Sequence, residues 1–253
     1  MRQNWPERLW LVRHGQSQGN VARDKADAAG HSVIELEVRD VDVPLSDLGM
    51  RQAEAAGRWF AALPHDERPE VILSSPYLRA RQTATAICDA GALLGGKAKS
   101  VIDERLRERE FGVFDGLTTI GIREKFPEEA AHRAKMGKFY HRPPGGESWA
   151  DVILRLRSAL NTINLLYADR RVVIVCHQVV VLCMRYILDE LDEAQILSID
   201  KQAEILNCSI AAYDFERQEH ELCVPKLVLW NHGAPLEQGE PQTAERDMMT
   251  GTR

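Results

Sequence analysis

Two histidines stand at the ends of apolar runs. In LWLVRHG, residues 9–15, four apolar residues lead into Arg13, His14 and Gly15; in VVIVCHQ, residues 172–178, five lead into His177 and Gln178. Neutral imidazole is a competent nucleophile toward phosphorus, and a second imidazole or a guanidinium beside it can neutralise the phosphoryl oxygens in the transition state. A third run, VILSS at 71–75, is followed by Arg79 and Arg81, whose planar forks can each hold two phosphate oxygens. A departing alkoxide also needs a proton donor. The stretch ERLREREFGVFDG at 104–116 offers Glu104, Glu108, Glu110 and Asp115 without choosing among them.

These side chains meet only if the runs are neighbouring strands ending on one edge of a sheet, where ligands of open α/β sheets sit. Short Val, Ile and Leu runs at 9–12, 71–73, 172–176 and 227–230, with a weaker one at 100–102, predict the strands. Helical patterns fall between them. Ser46 is placed to cap a helix reaching Ala62, and Ser75-Pro76 to cap one that stops near Gly91. Ser148 with Asp151 approximates a capping box for a long helix carrying Trp149, Val152, Ile153, Leu156, Leu160, Ile163 and Tyr167 at helical spacing. VVVLCMRYIL reads as a buried helix, and CSIAAYDF and PKLVLW as edge strands or a terminal hairpin. Strand alternating with helix implies an α/β three-layer sandwich with a mostly parallel central sheet. One domain is expected over residues 1–232, followed by a polar tail at 233–253 without order.

With 32 Lys and Arg against 38 Asp and Glu, the net charge is −6, which argues against coating nucleic acid or an anionic membrane. An anionic ligand must then be held by a local arginine cluster. No run approaches the roughly 20 apolar residues of a membrane span, and MRQNWPERLWLV lacks the apolar stretch of a signal peptide. The five cysteines (Cys88, Cys176, Cys183, Cys208, Cys223) form no Cys-x-x-Cys pair and sit mostly among apolar residues, as reduced core thiols do. A cytoplasmic location is the expectation.

LVRHGQSQGN, DVPLSDLG, SSPYLRARQTA, LREREFG, PPGGES and VIVCHQ, in this order over residues 9–215, together resemble the histidine phosphatase superfamily, with its phosphoglycerate-mutase-like fold. The resemblance implies that His14 is the phosphorylated nucleophile, that Arg13, Asn20, Arg79 and His177 complete the phosphate pocket, and that no metal or cofactor takes part. Glu108 falls at the glutamate of the family pattern L-x-E-x-x-x-G and is implied to be the acid/base.

The family holds mutases and phosphatases. KFPEEAAHRAKMGKFYHRPPGGESW is more similar to the domain that hydrolyses fructose 2,6-bisphosphate than to cofactor-dependent phosphoglycerate mutase, and implies Arg133, Lys138 and Gln178 on the substrate side. Leu182 stands where that pattern has an arginine and Trp149 where it has a tyrosine, which argues against that sugar bisphosphate itself. The paired arginines of the mutase insertion are missing between Gly116 and Pro143, so hydrolysis of a small phosphorylated metabolite is the expected reaction. The alternatives are mutase activity and a non-catalytic phospholigand module. Residues 21–43 are longer than the usual turn in this family, either as a substrate loop or as a surface insertion. GALLGGKA at 91–98 imitates a P-loop, but Ala98 replaces the magnesium-binding Ser or Thr, and it follows a helix instead of preceding one.

Overall fold

The computed structural model describes residues 5–93, 100–202, 204–216, 223–236 and 241–244. Strands β1 (Arg8–Arg13), β2 (Val71–Ser74), β3 (Ser100–Ile102), β4 (Arg171–Cys176), β5 (Ser209–Glu216) and β6 (Val224–Gly233) form one sheet in the order β3-β2-β4-β1-β5-β6. The first four of that order run parallel; β5 is antiparallel to both of its neighbours, β1 and β6. CSIAAYDF and PKLVLW form the expected terminal antiparallel pair, in which β6 is the edge strand and β5 lies between β1 and β6.

The helices are α1 (Gln18–Ala29), α2 (Asp47–Ala61), α3 (Leu78–Ala90), α4 (Thr119–Lys125), α5 (Pro127–Met136), α6 (Trp149–Leu166), α7 (Gln178–Leu188) and α8 (Glu193–Gln202). Alternation along the central strands sorts the layers. Leu9, Leu11, Val172 and Ile174 pack with the apolar stripes of α6 and α7, while Trp10, Val12, Val173 and Val175 pack with α2 and α3. A strand covered on both faces must be apolar at every position, which is why its run is unbroken. Each such Leu, Ile or Val contributes roughly 1.5–3 kcal/mol on burial, so the strand ends are anchored from both sides.

Ser46 caps α2 by accepting from Gly49 N–H, and Ser148 forms a full capping box with Asp151 on α6. Ser75 does not cap α3. That helix begins at Leu78 with Tyr77 in the cap position, because the Ser75 hydroxyl is held by His177 at 2.7 Å. Helices α1, α4, α5 and α8 carry no clear apolar stripe: α1 buries Asn20 and Ala26, and α8 buries Ile196. The first half of the 21–43 segment is thus helix α1, not loop.

Part of the tail lies against the domain. Ala234 is buried, and Thr243 hydrogen-bonds Gln52 and Asn207. Residues 237–240 and 245–253, and residues 94–98 of the P-loop imitation, lie outside the described residues. No helix among the described residues is long and apolar enough to cross a membrane.

Candidate active site

Strands β1 and β4 are neighbours in register, Arg13 opposite Cys176, so the next residue of each, His14 and His177, emerges at the same edge. Their rings are 5.1 Å apart, edge to face. His14 is nearly fully buried and its Nδ1 lies 2.7 Å from the Gly15 carbonyl. A carbonyl only accepts, so the proton is on Nδ1 and Nε2 carries the lone pair. Glycine at 15 is a requirement of space: a Cβ there would sit 2.4 Å from the Gly49 carbonyl oxygen. Close approach of the His14 loop to the first turn of α2 thus explains both glycines. The His14 carbonyl accepts from Asn207 Nδ2 at 3.3 Å and Cys208 N–H at 3.2 Å, which fixes the loop from the β5 side.

A cavity of about 220 Å³ opens over His14, lined by Arg13, Asn20, Arg79, Glu108, Gln178 and the wall Ile34, Leu36 and Val38. Helices α1 and α7 both begin at it, with Ser17, Gly19 and Asn20 from one and Gln178 and Val179 from the other. Two helix N-termini aimed at one cavity favour an anion there. Arg13, buried, donates to the Ile205 carbonyl. Asn20 accepts Ser17 N–H at 2.8 Å in the α1 capping box, which turns its amide nitrogen into the end that can serve a phosphate oxygen. Burial first, then Arg79 and Arg13, push the His14 pKa well below the ordinary imidazole value, so the ring is neutral at pH 7.

His177 is completely buried, and its pKa is pushed down by burial and then by Arg79. Tyr77 N–H donates to Ser75 Oγ at 3.3 Å, and Ser75 Oγ lies 2.7 Å from His177 Nε2. The hydroxyl can donate to Nε2 or accept from it, and the other ring nitrogen, Nδ1, has no hydrogen-bond partner among the described residues. That nitrogen lies 3.8 Å from Glu108 Oε2. Glu108 Oε1 accepts Arg109 N–H at 2.8 Å, which aims the carboxylate at the cavity. Among the other acids in its run, Glu110 pairs with Tyr77 and Arg107, Asp115 reaches the cavity rim, and Glu104 is absent from the lining.

Three substrate-side expectations separate. Gln178 lines the cavity; Arg133 and Lys138 do not. Arg133 is buried on α5, and Lys138 pairs with Asp200 at 2.7 Å and lies over the Trp149 ring. Trp149 and Leu182 are core residues with no exposure, and neither lines the cavity. Arg81 lines a different surface hollow with Gln82 and Asp89. Sequence reasoning missed Arg23, Arg39 and Asp40 at the cavity, and Asn207 behind His14. Asn207 leaves no periodic signal; only its contacts reveal it.

Residues 34–40 form one wall of the cavity, which makes the second half of the 21–43 segment part of the site. Asp40 grips Arg79 through both carboxylate oxygens, at 3.0 and 3.2 Å, and through its carbonyl at 2.7 Å. An anion that takes the Arg79 fork must displace that carboxylate. Asp40→Ala is expected to tighten inhibition by inorganic phosphate about three- to tenfold, since 1.4 kcal/mol is a factor of ten. The Ki for phosphate checks this; an unchanged or larger Ki means that Asp40 does not compete.

The family model described as histidine phosphatase superfamily (branch 1) matches residues 9–231. A bifunctional protein of Mycobacterium tuberculosis is 32% identical over 172 residues, 68% of this chain, but the chain spans only 41% of its length. The probable phosphoglycerate mutase GpmB of Yersinia enterocolitica is 31% identical over 212 residues, 82% of this chain and 85% of that protein. The solved structure of a mycobacterial glucosyl-3-phosphoglycerate phosphatase superposes with a TM-score of 0.67 at 26% identity, over 90% of this chain and 100% of that one. Paired strand-end histidines, of which His14 lines an arginine-rich cavity and His177 is buried beside it, and a family match across nearly the whole described sheet, agree: the chain belongs to the histidine phosphatase superfamily, branch 1.

Proposed function

We propose that the protein is a metal-independent phosphomonoesterase that hydrolyses a small phosphorylated metabolite through a phosphohistidine on His14. The observation that carries this reading is the buried His14, whose Nδ1 is held by the Gly15 carbonyl so that Nε2 is the nitrogen left for phosphorus, at the cavity that Arg13, Arg79 and Glu108 also line. Nε2 attacks phosphorus in line; the phosphorus–ester oxygen bond breaks, and Glu108 gives its proton to the leaving oxygen. The same carboxylate, now ionised, takes a proton from water as the water oxygen attacks the phosphohistidine, which releases phosphate and restores neutral His14. Arg13 and Arg79 neutralise the transferring oxygens, and the His177 imidazole beside His14 completes the pocket.

The small cavity and its apolar wall of Ile34, Leu36 and Val38 support a compact ester over a macromolecule. The likeness to the solved phosphatase supports hydrolysis, and the likeness to the Yersinia protein supports mutase activity as the second reading. Phosphate release from an aryl phosphate, phosphoglycerates and sugar mono- and bisphosphates, with and without EDTA, separates them. EDTA-insensitive release with one preferred ester is expected. Interconversion of phosphoglycerates without release establishes the mutase instead, and binding of vanadate with no turnover of any ester establishes a non-catalytic module.

A further inference from the structure

A second group of chemistry-bearing side chains lies outside this cavity. Glu129 and His132 are three residues apart on α5 and therefore share a face of it. Gly137, at φ 82°, ends the helix, and the chain turns back to place His141 against that face. One potential ligand atom from each of the three lies within 4.8 Å of the others. His141 is buried to 1% exposure, between the Phe114 ring stacked at 6.1 Å and the His132 ring edge-on at 5.7 Å.

The His141 ring is poorly satisfied. Its Nε2 has only a long 3.4 Å contact with Glu129 Oε2, and its Nδ1 has no hydrogen-bond partner among the described residues. Buried polar groups are almost always well bonded, so an imidazole held this way needs an explanation. We infer that Glu129, His132 and His141 form a binding site for a zinc-class divalent cation. Two imidazole nitrogens and one carboxylate oxygen are a donor set that zinc accepts, with solvent in the fourth position. Tetrahedral bonds of about 2.05 Å bring ligand atoms to about 3.4 Å apart. Closing from separations of up to 4.8 Å requires movement of at most about 1.4 Å, which the exposed His132 side chain supplies by rotation.

None of the three residues lines the catalytic cavity, so the ion would be structural: it ties α5 to the segment that follows. That segment carries Glu147, which accepts from Arg107 at 2.8 Å and Arg155 at 2.9 Å, and whose carbonyl accepts from Arg109. The ion thus braces the support of Glu108 without touching the reacting atoms.

The test uses the full chain, stripped with EDTA and dialysed. Zinc titration is expected to saturate at one equivalent and raise Tm. Cobalt substitution is expected to give tetrahedral d–d bands without a thiolate charge-transfer band, which sets the site apart from the cysteines. His132→Ala and Glu129→Gln, both on the outer side of α5, are expected to weaken zinc at least about tenfold, the loss that even outer-shell changes cause. Phosphatase turnover at room temperature stays equal with and without zinc. Absence of saturable binding, a thiolate band, or unchanged affinity in both variants overturns the site.

Discussion

Replacement of His14 by alanine is expected to remove turnover, a loss of about ten-thousandfold or more, the scale seen when a nucleophile is deleted. Among the described residues no other imidazole lines the cavity: His177 is completely buried, with its Nε2 at the Ser75 hydroxyl. Labelled phosphate should no longer be trapped on the protein, while vanadate binding persists, because Arg13, Arg79 and the two helix N-termini remain. Retained turnover in His14→Ala removes the mechanism. The same residue sets an acid limit. His14 and His177 are buried with pKa values far below the unfolded 6.5. Below that pH the unfolded chain binds protons that the folded chain refuses, so stability is full above it and falls on acidification. Each group contributes up to about 1.4 kcal/mol per pH unit. Urea unfolding at pH 7.5 and at pH 5.5, about one unit either side of the ordinary imidazole value, measures the difference; stability that is flat or rises toward acid contradicts the neutral assignment.

Glu108→Gln is expected to lower kcat on alkyl phosphates by about a hundred- to ten-thousandfold, the usual range for loss of a general acid. Glutamine keeps an oxygen that can accept Arg109 N–H, so the side chain stays in place and the proton is what is lost. Aryl esters should lose much less in the first step, because an aryloxide leaves without protonation. The second step then becomes limiting, since no carboxylate activates water, and phosphohistidine accumulates. A pre-steady-state burst of aryloxide near one equivalent is the expected signature. Equal losses on aryl and alkyl esters, with no burst, assign the acid role elsewhere, and Asp115 at the cavity rim becomes the candidate.

Much of the frame was legible because it depends on short-range rules. Strands β1 and β4 are buried on both faces and so read as unbroken apolar runs, and Ser46 and Ser148 cap by bonding the backbone three residues on. A period or a three-residue spacing survives in sequence. The paired histidines were legible for the same reason, as residues that follow such runs. Helices α1 and α8 were not, because each buries so few side chains that no periodic stripe forms.

The chain alone thus determined which residues can do phosphoryl chemistry and which strands end with them. Only the tertiary structure decided which of them meet. Composition leaves four acids near residue 110 alike, and only the family pattern points to Glu108; the structure places that carboxylate at the cavity, held by the Arg109 amide. Arg79 was expected at the phosphate and Arg133 on the substrate side, yet only Arg79 reaches the cavity, and Arg133 is buried on α5. Asp40 meets Arg79 across 39 residues, and Asn207 meets the His14 carbonyl across 193. Such contacts are set by strand order and crossover, which bring distant segments to one sheet edge, and no local spacing encodes them.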